Sequence, residues 1–154
     1  MNKTKSTDFT VAEIRLSYNP IIKAGDRLKI TKPLDVYNAF LTSWDKDKLQ
    51  LVEQFKMMLL NPANHVMGIV EISSGGIAGT VVDARLIFGV ALKAAATRII
   101  LAHNHPSGNV QPSDLDKRLT QTIKSGADIL DIKLLDHMII TAHGYSSFSD
   151  MGLL

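Results

Sequence analysis

The sequence predicts a single domain of the α/β (α+β) class, on three observations. Strand-like segments at 53–60 and 66–72 flank the turn signal Asn61-Pro62-Ala63-Asn64, which reads as a β-hairpin. An apolar stretch opening at Asp83 or Ala84 and running to about Ala96 has helical spacing and leads directly into a strand-like segment at 98–102, a strand–helix–strand unit. The 154 residues, 45% of them hydrophobic, match one domain with a buried core.

Taken in order, residues 1–10 read as a polar tail, and residues 11–18 alternate apolar and polar well enough for an edge strand. Pro33 opens a helix through Phe40 and Leu41. Residues 44–52 are ambiguous, because charges at 45–48 precede an apolar stretch that could form a second short helix. The hairpin strands 53–60 and 66–72 follow. Residues 73–79, SSGGIAG, read as a turn between strands, since they lack the Gly-Lys-Ser/Thr ending of a phosphate loop. After the helix at 83–96 and the strand at 98–102, Pro106, Gly108 and Pro112 force the chain to turn. Ser113 opens a helix whose leucines at 115 and 119 and Ile123 keep helical spacing, and Gly126 ends it. Residues 129–134 and 138–141 are two short closing strands. No repeat or linker divides the chain, so residues 1–29 are a tail with an edge strand and residues 30–154 are the domain.

Composition excludes several function classes. No apolar run approaches the ~20 residues needed to span a bilayer, and the opening MNKTKSTDFT has no signal-like apolar region, so a cytoplasmic, non-membrane protein is expected. The chain has no cysteine, which removes disulfides and thiolate ligands; any metal must be held by His, Asp, Glu and water. A net charge of +2 from 17 basic and 15 acidic residues is too balanced to mark a nucleic-acid surface, and the basic residues are scattered. The residues leave the oligomeric state open.

The chemistry is concentrated in residues 103–116, HNHPSGNVQPSDLD. Residues two apart on a strand share a face, so His103 and His105 can share one ion, and Asp116 falls in the first turn of the following helix. Two neutral imidazoles and a carboxylate suit zinc with a fourth position open to water, the pattern of a catalytic rather than a structural site. Ser-x-x-Asp is also a helix capping box, which by itself accounts for Ser113 but not for two histidines immediately upstream.

A hydrolytic centre of this kind needs a carboxylate to take a proton from water. Two upstream glutamates are available, Glu53 at the start of the first hairpin strand and Glu71 near the end of the second. Glu53 shares strand parity with Phe55, Met57 and Leu59 and so points to the same buried face, unless it simply sits at a strand end and reaches solvent. Asp136 and His137 follow an apolar strand and read either as partners orienting a ligand imidazole or as a hydrogen-bonded pair at a strand end. His65 and His143 fall in turns, where they are expected to be solvated.

The pattern H-x-H-P, then S-x-x-D, resembles the signature of the JAMM (JAB1/MPN) zinc metallopeptidases. The local forms HNHPSG and Leu134-Leu135-Asp136-His137 are similar to the bacterial RadC branch, over about Ile30 to Leu154. The resemblance implies a JAB1/MPN-like (cytidine-deaminase-like) fold, a mixed central sheet flanked by helices. It implies Zn2+ held by His103, His105 and Asp116, and a metallopeptidase or isopeptidase acting on a peptide or protein conjugate. The family's catalytic glutamate lies on an early strand, and Glu-x-Phe followed by an apolar run matches Glu53-Gln54-Phe55, which selects Glu53 with Glu71 in reserve. Ser113 would then hold water or the developing oxyanion, in competition with its capping role. RadC-like proteins also carry a DNA-repair association. The chain departs from full-length members in having only about 30 residues ahead of the resemblance, so an N-terminal helix-hairpin-helix DNA-binding region is not expected.

Two other functions compete with this one. A metal-dependent nuclease or phosphodiesterase is disfavoured, because Pro106 and Ser107 follow His105 where nucleases of the H-x-H-x-D-H type need Asp and His, and two-metal sites want more carboxylates. A non-catalytic MPN binding module ranks lower because all five chemically required positions are present.

Overall fold

The computed structural model describes residues 21–76 and 80–154; the edge strand expected at 11–18 and the end of the SSGGIAG turn lie outside them. Among the described residues three α-helices, α1 (Pro33–Ser43), α2 (Ala84–Lys93) and α3 (Asp114–Ile129), accompany five strands: β1 (Gln54–Leu60), β2 (Val66–Ser74), β3 (Arg98–Asn104), β4 (Lys133–Thr141) and β5 (Gly144–Ser147). The strands form one mixed sheet in the order β2-β1-β3-β4-β5. β3 and β4 are parallel and joined through α3, while the other neighbours are antiparallel.

β1 is buried at all seven positions, which is why its sequence is a near-continuous apolar run. Its side chains still alternate. Phe55, Met57 and Leu59 join Ile99, Leu101 and Leu134 beneath α2 and α3, packing on Ile87, Ala91, Ile123 and Ala127. Met58 and Leu60 join Ile100, Ala102, Met138 and Ile140 on the opposite face, under Val36, Phe40 and Trp44. The molecule is therefore a helix–sheet–helix sandwich, with one helix on one face and two on the other.

Several expected boundaries are corrected. Residues 44–52 form turns rather than a second helix, because the Leu49 and Val52 carbonyls are taken by the Asn104 amide on β3. β2 continues to Ser74, into the expected turn. α2 stops at Lys93, since Ala94 caps it and Ala95 takes a left-handed φ of 52°. α3 runs past Gly126 to Ile129; the glycine faces α2 so closely that a Cβ there would meet the Phe88 ring at 2.7 Å, so Gly126 admits a neighbour rather than ending the helix. The two expected closing strands are one, β4, because Asp136 and His137 between them are buried within it, and Ile129 belongs to α3. β5 was not foreseen. His143 is exposed, whereas His65 is half-buried in a bridge with Lys29.

Candidate metal centre

The alternation that builds the core also builds the site. On β3 the odd positions Ile99 and Leu101 enter the core beneath α2 and α3, and the next odd residue, His103, lands at its margin, 3% exposed. His105, just beyond the strand, keeps the same parity, and the two Nε2 atoms lie 3.0 Å apart. Gly108 then reverses the chain with a φ of 80°, its N–H bonded to the His105 carbonyl, and leads to the start of α3.

Ser113 is the N-cap of α3. Its hydroxyl accepts from the Asp116 backbone N–H at 3.1 Å, while its hydroxyl and its own N–H both donate to Asp116 Oδ2 at 2.7 Å. The other oxygen, Oδ1, lies 3.3 Å from His103 Nε2, and Oδ2 is 3.7 Å from His105 Nε2. One ligand-type atom from each of His103, His105 and Asp116 thus converges within 4.8 Å. Burial pushes the Asp116 carboxyl up, but when His103 is cationic its hydrogen bond and charge, and then the bonds from Ser113, outweigh it and hold the carboxyl well below the usual carboxylate range.

Each ligand-type group is oriented from behind. His105 Nδ1 is 2.6 Å from the Asn109 carbonyl. His103 Nδ1 is 2.8 Å from His137 Nε2, and His137 Nδ1 is 2.6 Å from the Thr120 hydroxyl on α3. His137 is fully buried and stacks on Phe148; desolvation, then the neighbouring His103, drives its pKa far below that of a free imidazole and keeps it neutral. Asp136 belongs elsewhere: it accepts from the Ser147 hydroxyl and from the Ser149 and His137 backbone N–H groups. Burial raises its carboxyl pKa against those bonds. The pair therefore divides, with His137 on the imidazole and Asp136 tying β4 to β5.

Glu53 immediately precedes β1, its backbone bonded to Gly75 and Gly76. Phe55 pairs with His103 in the antiparallel register, so the residue two earlier falls across from His105. Glu53 Oε1 is 3.8 Å from His105 Nε2. Glu71 pairs in register with Lys56, on the other face of the sheet, and accepts from Gln54 Nε2. The geometry brings Glu53, His103, His105, Ser113 and Asp116 together and leaves Glu71 apart.

The residues that sequence reasoning missed are those that orient the others. Asn104, between the histidines, points to the opposite face and is fully buried; its Oδ1 accepts from the Gln54 N–H at 2.7 Å and its amide donates to the Leu49 and Val52 carbonyls. It thereby holds the chain on both sides of Glu53. Thr120 lies one helical turn after Asp116, a spacing that could have flagged it. Asn109 offered no signal, because its contribution is a backbone carbonyl.

A cleft of about 670 Å³ opens over Glu53, His105 and Ser113. Among the described residues lining it none is Lys or Arg, and Glu53 is the only acid.

With this geometry in view, the family model for the RadC-like JAB domain matches residues 30–153. The chain belongs to the RadC-like JAB domain family. A UPF0758 protein of Flavobacterium johnsoniae is 50% identical over 131 residues, 85% of this chain and 57% of the relative. Another from Porphyromonas gingivalis is 45% identical over 103 residues, 66% of this chain and 45% of the relative. A third, from Clostridioides difficile, is 34% identical over 134 residues, 87% of this chain and 54% of the relative. The chain spans about half the length of the curated relatives it matches. The mixed sheet between helices is the JAB/MPN fold that membership implies. No helix among the described residues is long and apolar enough to cross a membrane.

Proposed function

We propose that this protein is a zinc-dependent hydrolase of the JAMM class that cleaves amide bonds in a peptide or protein-conjugate substrate. One observation carries the metal: the Asn109 carbonyl can only accept, so the 2.6 Å bond fixes the His105 proton on Nδ1 and leaves Nε2 bare, pointing at His103 Nε2 and the Asp116 carboxylate. Electron pairs converging this closely require a shared cation or proton. The donor set of two imidazoles and one carboxylate fits zinc. Zinc held there supplies Lewis acidity toward water and a substrate carbonyl.

The chain's own residues would do the rest. Glu53, on the cleft side of His105, accepts a proton from water and returns it to the leaving amine. Ser113, whose single hydroxyl proton is directed to Asp116 Oδ2, orients that carboxylate; as an oxyanion donor it would have to give up that bond. A cleft whose described lining holds Glu53 and no Lys or Arg favours a neutral peptide backbone over a phosphodiester, which would meet negative charge there. A link to DNA repair would then run through a protein substrate.

The test is metal content, then turnover. The purified chain should hold stoichiometric zinc, lose it in His103→Ala, and hydrolyse peptide or isopeptide substrates in a Glu53-dependent way, with Glu53→Gln folded and zinc-loaded but inactive. A well-folded chain that takes up no metal after zinc addition refutes the metal reading. Chelator-sensitive cleavage of DNA without amide hydrolysis would favour the nuclease reading instead.

A further inference from the structure

We propose that Thr120, acting through His137, holds His103 in the one tautomer that can ligate a cation, which makes Thr120 and His137 positioning residues of the metal centre. This rests on the reading of His103, His105 and Asp116 as that centre. The Thr120 hydroxyl lies 2.6 Å from the Asp116 carbonyl oxygen, a group that only accepts, so the hydroxyl proton is directed there. The Thr120 oxygen, 2.6 Å from His137 Nδ1, is left to accept, which puts the His137 proton on Nδ1. His137 Nε2 is then bare, and at 2.8 Å from His103 Nδ1 it must accept. His103 therefore carries its proton on Nδ1 and presents a bare Nε2 to Asp116 Oδ1 and His105 Nε2.

The chain of bonds joins three separate elements. It begins on α3, crosses β4 at His137 and ends on β3 at His103, so two ligands from different parts of the fold share one set of supports. His137 sits with no exposed surface between the Phe55 and Phe148 rings, which excludes water as an alternative partner. Without the Thr120 hydroxyl, the His137 proton has no acceptor at Nδ1 and is free to move to Nε2, where it would donate to His103 Nδ1. The His103 proton would then occupy Nε2, the position a cation needs.

The 154-residue chain tests this with two readouts, zinc affinity by competition with a chelator and histidine tautomers of the metal-free protein by nitrogen NMR. Thr120→Val should bind zinc roughly 10- to 100-fold more weakly while remaining folded, Thr120→Ser should restore near-normal affinity, and His137→Phe should match Thr120→Val. In the metal-free wild type His137 should be protonated at Nδ1, and in Thr120→Val at Nε2. Unchanged zinc affinity in a folded Thr120→Val, or an Nε2-protonated His137 in the wild type, overturns the proposal. If Thr120→Val does not fold, the wild-type tautomer decides alone. A wild-type chain that takes up no zinc overturns the metal-centre reading instead, and the tautomer measurement still supports or overturns the bond chain.

Discussion

Two helices of this protein begin with the same device, and only one of them contributes to a candidate centre. At the start of α1, Asp35 Oδ2 accepts from the Thr31 N–H and hydroxyl and from the Lys32 N–H. At the start of α3, Asp116 Oδ2 accepts from the Ser113 N–H and hydroxyl. In both, a carboxylate in the first turn is held by the residues just before the helix, where the helix dipole also favours negative charge. The difference lies in the second oxygen. Asp116 Oδ1 faces His103 Nε2 at 3.3 Å in a half-buried position, whereas every hydrogen bond described for the Asp35 side chain runs to its own cap. A capping box is thus a ready-made carboxylate holder, and what stands opposite its free oxygen decides whether it does chemistry.

The largest expected effect comes from removing the charge at each cap while keeping its shape. Asp116→Asn retains an amide oxygen for Ser113 but not the anion that completes the ligand set, so zinc affinity should fall by more than the roughly 10- to 100-fold typical of losing an outer-shell partner. Asp35→Asn should leave zinc affinity unchanged and lower the thermal midpoint slightly. Chelator competition and thermal unfolding on both variants measure the contrast; equal zinc affinity in wild type and Asp116→Asn would erase it.

That contrast also shows what was legible in the sequence. His103, His105 and Asp116 could be read because parity on a strand and position in a first helical turn are local properties. β1 could be read because burial on both faces leaves the apolar run Met57-Met58-Leu59-Leu60 directly ahead of the Asn61-Pro62 turn signal. The turns at 44–52 could not, since the carbonyls there are bonded by Asn104 from about fifty residues away. β4 was split in two because buried Asp136 and His137 look like a polar break when their partners Ser147 and Thr120 are out of sight. Gly126 reads as a stop only while Phe88 is absent from view. The boundaries misread at 44–52, within β4 and at Gly126 share a cause, since each rested on a partner distant in sequence.

A smaller effect separates the two hydroxyls that hold these carboxylates, Ser113 at the N-cap of α3 and Thr31 one residue ahead of the Lys32 N-cap of α1. Ser113→Ala removes a bond to the Asp116 backbone and another to its carboxylate, and loss of such a cap costs about 1 kcal/mol. For a chain of this size that lowers the thermal midpoint by about 2–4 °C. Because the lost hydroxyl also orients a proposed ligand, zinc affinity should fall with it, by roughly 10-fold. Thr31→Ala should move the midpoint in the same direction with no change in zinc binding. If Ser113→Ala instead binds zinc normally and loses turnover alone, Ser113 acts on the reacting groups rather than on Asp116, and the likeness between the two caps ends there.

The smallest effect is the pH dependence of the α1 cap, which isolates the device without its chemistry. Bonds from the Thr31 hydroxyl, then from the Thr31 backbone, hold the Asp35 carboxyl below its ordinary value of 3.8. A folded-state pKa lowered in this way means that the ionised carboxylate is the form the fold favours. Its contribution is complete above the unfolded pKa, begins to fade as pH falls to that value, and is gone once pH has passed below the folded pKa. Asp35→Asn cannot titrate, so the gap in thermal midpoint between it and the wild type should be constant near neutral pH and close only below about pH 4. The metal-free chain must be used, so that proton competition at the histidines does not enter. A gap that instead closes between pH 7 and 5 would show that Asp35 is not held by its cap as the geometry describes, and that only the α3 cap holds a poised carboxylate.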